Sequence, residues 1–196
     1  MSQSRRHWEE RYAERRDQDK AVGTVDSPSA FLASIADSIS GRVLDVAAGS
    51  GRNAVFLARR RCQVEAIDIA HSGLCIAKSA AAAAGADLRV LQADLESYPL
   101  PPSRYDAVLN IRYLQRSLFP ALQHTVKPGG LIVVETFLID QQAFGHPKNP
   151  AFLLQRGELA TVFEAYDILI HEEGLFDDGR GQAYLGRLLA RRPARD

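Results

Sequence analysis

The stretch VLDVAAGSGRN, residues 43–53, decides the fold. A short apolar run reaches an acid, Asp45. A turn of small residues follows, with Gly49 and Gly51, and Arg52 to Ala58 reads as the start of a helix. Strand, glycine turn and helix in that order open a nucleotide-binding βα unit.

The same rhythm continues on both sides. RVLDVA, CQVEAIDIA, DLRVLQAD, YDAVLNI and LIVVETFLI read as strands. Between them, RNAVFLARR and SGLCIAKSAAAAAG read as helices, the second ending at Gly85. YLQRSLFPALQHTVK reads as a helical segment divided by its proline and stopped by Pro128-Gly129-Gly130. Upstream, the charged segment 5–20 places Trp8 and Tyr12 on one helical face. A linker runs from Gly23 to Pro28. Ser27 is expected to cap a second helix carrying Phe31, Leu32, Ile35 and Ile39. Downstream, residues 140–156 read as a loop-rich insertion and GELATVFEAY as a helix. DILIHEEGLF and QAYLGRLLARR then read as a hairpin across the loop DDGRG, which makes one strand antiparallel. Strands alternating with helices predict an α/β, doubly wound, Rossmann-like sheet covered on both faces.

Composition sets outer limits. The chain has 196 residues, enough for a single domain, here expected over 1–196. Within it, 1–27 is an N-terminal helix or lid with its linker, 28–138 the cofactor-binding core, and 139–196 the insertion, helix and terminal hairpin. Formal net charge is zero, so neither nucleic acid nor an anionic membrane is expected as the main partner. Cys62 and Cys75 lie in apolar patterns without metal spacing and are expected to be buried thiols. MSQSRRHWEERYAERR lacks the apolar core of a signal peptide, and LIVVETFLI is too short to span a bilayer. The expectation is a cytoplasmic protein.

The glycine turn alone does not choose a nucleotide. Gly49-Ser50-Gly51-Arg52-Asn53-Ala54 fits the dinucleotide pattern, and Asp68 stands where an acid binds a ribose hydroxyl. NAD and S-adenosylmethionine (SAM) both have that ribose. Asp45 separates them. A carboxylate beside a pyrophosphate would oppose it by roughly a kcal/mol or more. SAM has no phosphate and carries an ammonium and a sulfonium, which a carboxylate stabilises. Asp94, after the third strand in LQADLE, can accept from the adenine amine. The plainer alternative is that each aspartate only caps a helix or holds a turn. Three at successive strand ends, on the edge where open α/β sheets bind ligands, favour a site.

On these residues the sequence resembles the class I SAM-dependent methyltransferases. VLDVAAGSG resembles their first motif, with Ala47 where a glycine usually stands. VEAIDIA, LQADLESYPL, YDAVLN and KPGGLIVVETF resemble the later segments. The likeness covers about residues 40–138. It implies a seven-stranded sheet of order 3-2-1-4-5-7-6 with the last strand antiparallel. HWEERY, GSGRN, Ile111-Arg112-Tyr113-Leu114 and the ETF…NP.FLL..GEL segment are more similar to the small-molecule branch with tellurite-resistance and thiopurine-type enzymes.

The resemblance implies that SAM is the cofactor and S-adenosylhomocysteine the product. Asp45, Ala47, Gly49, Gly51 and Asn53 would surround the methionine end. Asp68 and Ile69 would serve the ribose, Ala93, Asp94 and Leu95 the adenine, and Asn110 and Arg112 the floor near the methyl group. Trp8 and Tyr12 would close a lid, and Arg11 would bind the SAM carboxylate. The acceptor is expected to be a small molecule, because Asn110-Ile111-Arg112-Tyr113 replaces the Asn-Pro-Pro-Tyr or Asp-Pro-Pro-Tyr motif of amide methylation.

Arg112 is the first candidate for steering an anionic substrate or orienting the SAM carboxylate. Tyr113 is a candidate pocket wall. Glu135, with Thr136, interrupts an apolar strand at a cost that a site role would explain. His171 is a further catalytic candidate, and His146, Lys148 and Arg180 are loop candidates. Arg116 reads as a solvated face. Two functions stay open beside a methyltransferase: an NAD(P)-dependent oxidoreductase and a non-catalytic SAM-binding regulator.

Overall fold

The structure, a computed structural model, describes residues 3–18, 26–177 and 181–194. Its strands form one seven-stranded sheet in the order β3-β2-β1-β4-β5-β7-β6. The chain falls into two compact units, Met1–Pro28 with Ser40–Pro99, and Ser29–Ile39 with Leu100–Asp196.

The first unit holds β1 (Arg42–Val46), β2 (Gln63–Asp68) and β3 (Leu88–Gln92), all parallel. Val43, Leu44 and Val46 are wholly buried, as a strand covered on both faces requires. α3 (Arg52–Arg59) and α4 (His71–Ala83) follow the first two strands. The alanines of α4 work as spacers: Ala77, Ala80 and Ala81 are buried, and a Cβ on Gly51 would collide with the Ala77 methyl. The alanine run therefore lets two helices approach closely. α1 (Gln3–Gln18) packs on α4.

The second unit holds α2 (Ala30–Ile35), β4 (Tyr105–Ile111), β5 (Val126–Phe137), β6 (Asp167–Asp177) and β7 (Gln182–Arg191). β4 and β5 are parallel, and β7 runs antiparallel to both β5 and β6. The expected order and the antiparallel strand are both present. β5 carries the apolar run 131–134, with Ile132, Val133 and Val134 wholly buried.

Several local expectations need correction. Ser29, not Ser27, caps α2, its Oγ accepting from the Leu32 N–H at 3.3 Å. Pro120 does not divide a helix. It sits in the first turn of α5 (Phe119–Thr125), where its missing N–H costs nothing, and residues 112–115 are not helical. Pro128-Gly129-Gly130 belongs to β5, whose pairing with β4 shifts register there. A Cβ on Gly130 would press against the Asp106 carbonyl at 2.9 Å. The insertion contains α6 (Gln141–Phe144) and a 3-10 turn at Pro150–Phe152, and α7 covers only Glu158–Val162. Cys62 is buried, which raises its thiol pKa, but Cys75 is half-exposed with its Sγ 3.3 Å from His71 Nε2. Arg180 and residues 23–25 of the linker lie outside the described residues. No helix among the described residues is long and apolar enough to cross a membrane.

Candidate functional site

In the first unit, the carboxyl ends of β1 and β2 meet the glycine turn. Asp45 is buried, and its Oδ2 has no hydrogen-bond partner. Burial pushes its pKa up to about 7. The nearby Arg52 guanidinium pulls the other way, Asp68 adds to the rise, and the Ala54 N–H lowers it. Arg52 is itself buried, and the sequence reading gave it no role. An orphaned, desolvated carboxylate beside glycines suits a cationic group and repels a phosphate.

Asp68 has a structural task as well. Its Oδ2 accepts from the Gly49 N–H at 2.7 Å and its Oδ1 from the Ala70 N–H at 2.8 Å, which ties the glycine turn to β2. Burial raises its pKa despite these bonds. Gly49 and Gly51 have left-handed φ values of 56° and 78°, and Ala47 shares that region at 51°. The alanine thus makes the turn the usual glycine makes, with a Cβ penalty. Asn53 is buried at the start of α3. Ile69 offers its carbonyl to Gln92 Nε2 at 3.0 Å. The Ala93 N–H donates to the Asp68 carbonyl, and Leu95 is buried. Asp94 is half-exposed and accepts from the Glu96 N–H at 3.0 Å, so its carboxylate holds its own turn.

α1 reaches this turn. A Cβ on Gly49 would strike the Tyr12 hydroxyl, and one on Gly73 would meet the same ring at 3.1 Å. Trp8 stacks on Tyr12 with centroids 6.0 Å apart. Arg11 lies over the Trp8 ring at 5.1 Å and is exposed. The helix is anchored by Glu9, a residue missed in the sequence. Its carboxylate accepts from the His71 N–H (2.7 Å), the Ser72 N–H (3.0 Å) and the Ser72 hydroxyl. α4 has no side-chain cap of its own, so Glu9 satisfies its first amides from another helix. The Ser72 hydroxyl is the main cause of Glu9's lowered pKa.

In the second unit, Asn110 is wholly buried near the end of β4, and neither amide atom has a partner. Arg112 follows with φ 64°, its N–H donating to the Glu135 carbonyl at 2.7 Å. Glu135 is wholly buried. It accepts from Ser29 Oγ at 2.9 Å and Arg187 Nε at 2.9 Å, and Arg112 Nε lies 3.7 Å away. The expected cost of burying Glu135 is thus met by two arginines and a hydroxyl. Thr136 is buried beside it. Sequence reasoning missed Ser29 and Arg187.

The remaining candidates stand apart from this cluster. Tyr113 is half-buried and its hydroxyl donates to Gln115. His171 pairs in register with Leu188, so strand alternation puts it on the opposite face from Arg187. Its Nε2 lies 3.3 Å from Glu173, which also accepts from the Gly157 N–H ahead of α7. Arg116 is no free solvated charge: it grips both Glu158 oxygens and the Ala151 and Leu153 carbonyls. His146 and Lys148 are exposed, and their carbonyls accept from Gln141 and Gln142. No metal-binding cluster occurs among the described residues.

Residues 43–130 match the methyltransferase domain family. Among relatives, the chain is 33% identical over 168 residues to a ubiquinone/menaquinone biosynthesis C-methyltransferase, UbiE, of Syntrophotalea carbinolica. The match covers 80% of this chain and 64% of that one. The chain spans less than two thirds of the length of the first relatives it matches. In fold it is similar to TehB from Haemophilus influenzae, at TM-score 0.74 and 17% identity, covering 94% of this chain and 67% of that one. It is also similar to the geranyl diphosphate C-methyltransferase of Streptomyces coelicolor, solved with S-adenosylhomocysteine, at TM-score 0.64 and 16% identity, covering 83% and 77%.

Proposed function

We propose that the chain is a SAM-dependent methyltransferase that acts on a small-molecule acceptor. The observation that carries this reading is Asp45: a buried carboxylate with an unpartnered oxygen beside a left-handed glycine turn. That is a waiting partner for a cation and a poor neighbour for a pyrophosphate. The domain match over residues 43–130 and the C- and O-methyltransferases among the relatives support the activity.

When bound, SAM supplies an electrophilic methyl on a sulfonium. The chain's own residues would do the rest. Asp45 meets the ammonium of the methionine end, and Gly49 and Gly51 allow close backbone approach. Asp68 fixes the turn and keeps remaining acceptor capacity for ribose hydroxyls. Asp94 and the amides of Asp94 and Leu95 receive the adenine. Tyr12 and Trp8 cover the turn and exclude water. Catalysis by such a site is alignment and exclusion of water more than acid–base work. The N-terminal HWEERY segment supports an analogy with the tellurite-resistance and thiopurine-type branch.

The test is a screen with methyl-labelled SAM against tellurite, selenite, thiols and small carboxylates. Label transfer by the wild type, lost in Asp45→Asn, is expected. SAM binding without transfer to any acceptor would favour a regulator, and tight NAD binding would favour an oxidoreductase.

A further inference from the structure

Arg187 is the least explained charge in the second unit. It is buried in the middle of β7, flanked in register by Glu135 on β5 and Glu172 on β6. Its Nε is spent on Glu135 at 2.9 Å. Its Nη2 is buried and has no partner. A guanidinium cannot shed its charge, so its unused buried donor calls for an acceptor.

The surroundings specify that acceptor further. The Arg187 guanidinium lies 3.8 Å from the Phe176 ring centroid and 5.6 Å from that of Phe31. Arg112 lies 4.4 Å from the Phe137 centroid. Arg187 and Arg112 both lean on the one fully buried carboxylate of Glu135. Glu172 is exposed, where water screens it. His171 faces the other side of the sheet. Glu135 pairs with Ile111, the last residue of β4, so the cluster stands at the carboxyl end of the parallel strands, where ligands of open α/β sheets bind.

We propose that Arg187, held by Glu135 and walled by Phe31 and Phe176, binds the carboxylate of an acceptor whose body is aromatic or apolar. Glu135 and Ser29 act as positioning residues. Glu135 is too fully engaged to serve as a base, and its function is to fix the angle of Arg187. The inference rests on the methyltransferase reading and narrows its acceptor class.

The test is equilibrium binding to the intact chain, with and without saturating S-adenosylhomocysteine. The probes are benzoate, phenylacetate and indole-3-acetate, each beside its methyl ester and amide. At least one acid is expected to bind about tenfold or more tighter than its neutral partners, the scale of one charge-assisted hydrogen bond. Arg187→Gln is expected to erase that preference and leave S-adenosylhomocysteine affinity unchanged. Arg187→Lys, which keeps the charge and guards against misfolding, is expected to retain part of it. Equal affinities for acids and esters, or no acid bound at all, overturn the proposal. So does a preference that survives Arg187→Gln, or a variant that loses S-adenosylhomocysteine instead. Should the wild type fail to bind S-adenosylhomocysteine, the proposed function falls, and the acid-against-ester comparison on the unliganded protein still decides this one.

Discussion

Asp45 couples stability to binding. Its folded pKa of about 7 lies above the ordinary value of 3.8. Between those pH values the unfolded chain releases a proton that the folded chain keeps. The penalty on folding therefore grows as pH rises from about 4 and levels off above about 7. Asp45→Asn is expected to be more stable than wild type by about 2–4 kcal/mol at pH 8, with the gain vanishing near pH 4 in denaturant melts. The same variant should lose SAM affinity, a cost of the kind function often imposes. Wild-type affinity for SAM should fall as pH drops below about 7, because a cation prefers the ionised carboxylate.

The glycine turn offers a second residue-scale test. Ala47 at φ 51° carries a left-handed penalty that glycine escapes. Ala47→Gly is expected to stabilise by about 1 kcal/mol, read as a rise of a few degrees in Tm. Gly51→Ala meets both a φ of 78° and the Ala77 methyl, and should cost about 2 kcal/mol or more. Asp45, Gly49 and Asp68 were legible as a constellation because they sit at fixed places around one strand–turn–helix–strand unit. Glu9, Ser29 and Arg187 were not, because their partners lie 62, 106 and 52 residues away in the chain. No local spacing encodes such pairs.

At the scale of elements, α1 is held through its acid. Glu9→Ala leaves the first amides of α4 without their partner and is expected to cost about 1 kcal/mol. Glu9 has a lowered folded pKa, so this contribution is full above its ordinary 4.5 and disappears as pH falls through the lowered value. Removal of residues 1–20 is expected to weaken SAM binding while the core stays folded. Undiminished affinity in calorimetry would contradict a covering role for Tyr12 and Trp8. The strands were the easiest elements to read, since burial on both faces forces long apolar runs. Prolines and short helices were the hardest. Pro120 opens a helix where it was expected to divide one, because its missing N–H is harmless in a first turn. Pro128-Gly129-Gly130 looked like a stop and instead belongs to β5, where Gly130 fits against the Asp106 carbonyl.

For the whole molecule, the α/β class follows from strand–helix alternation and one antiparallel strand from the hairpin pattern, while the strand order is what the family resemblance implies. The antiparallel β7 is what brings Arg187 beside Glu135, so the acceptor cluster depends on a register that no single segment specifies. The central claim is that the site at Asp45 takes SAM and not a dinucleotide. Calorimetric titration of the intact chain with SAM, S-adenosylhomocysteine and NAD tests it most directly. The account predicts saturable binding of SAM and S-adenosylhomocysteine, lost in Asp45→Asn, and no binding of NAD. Saturable NAD binding with none of SAM would contradict it.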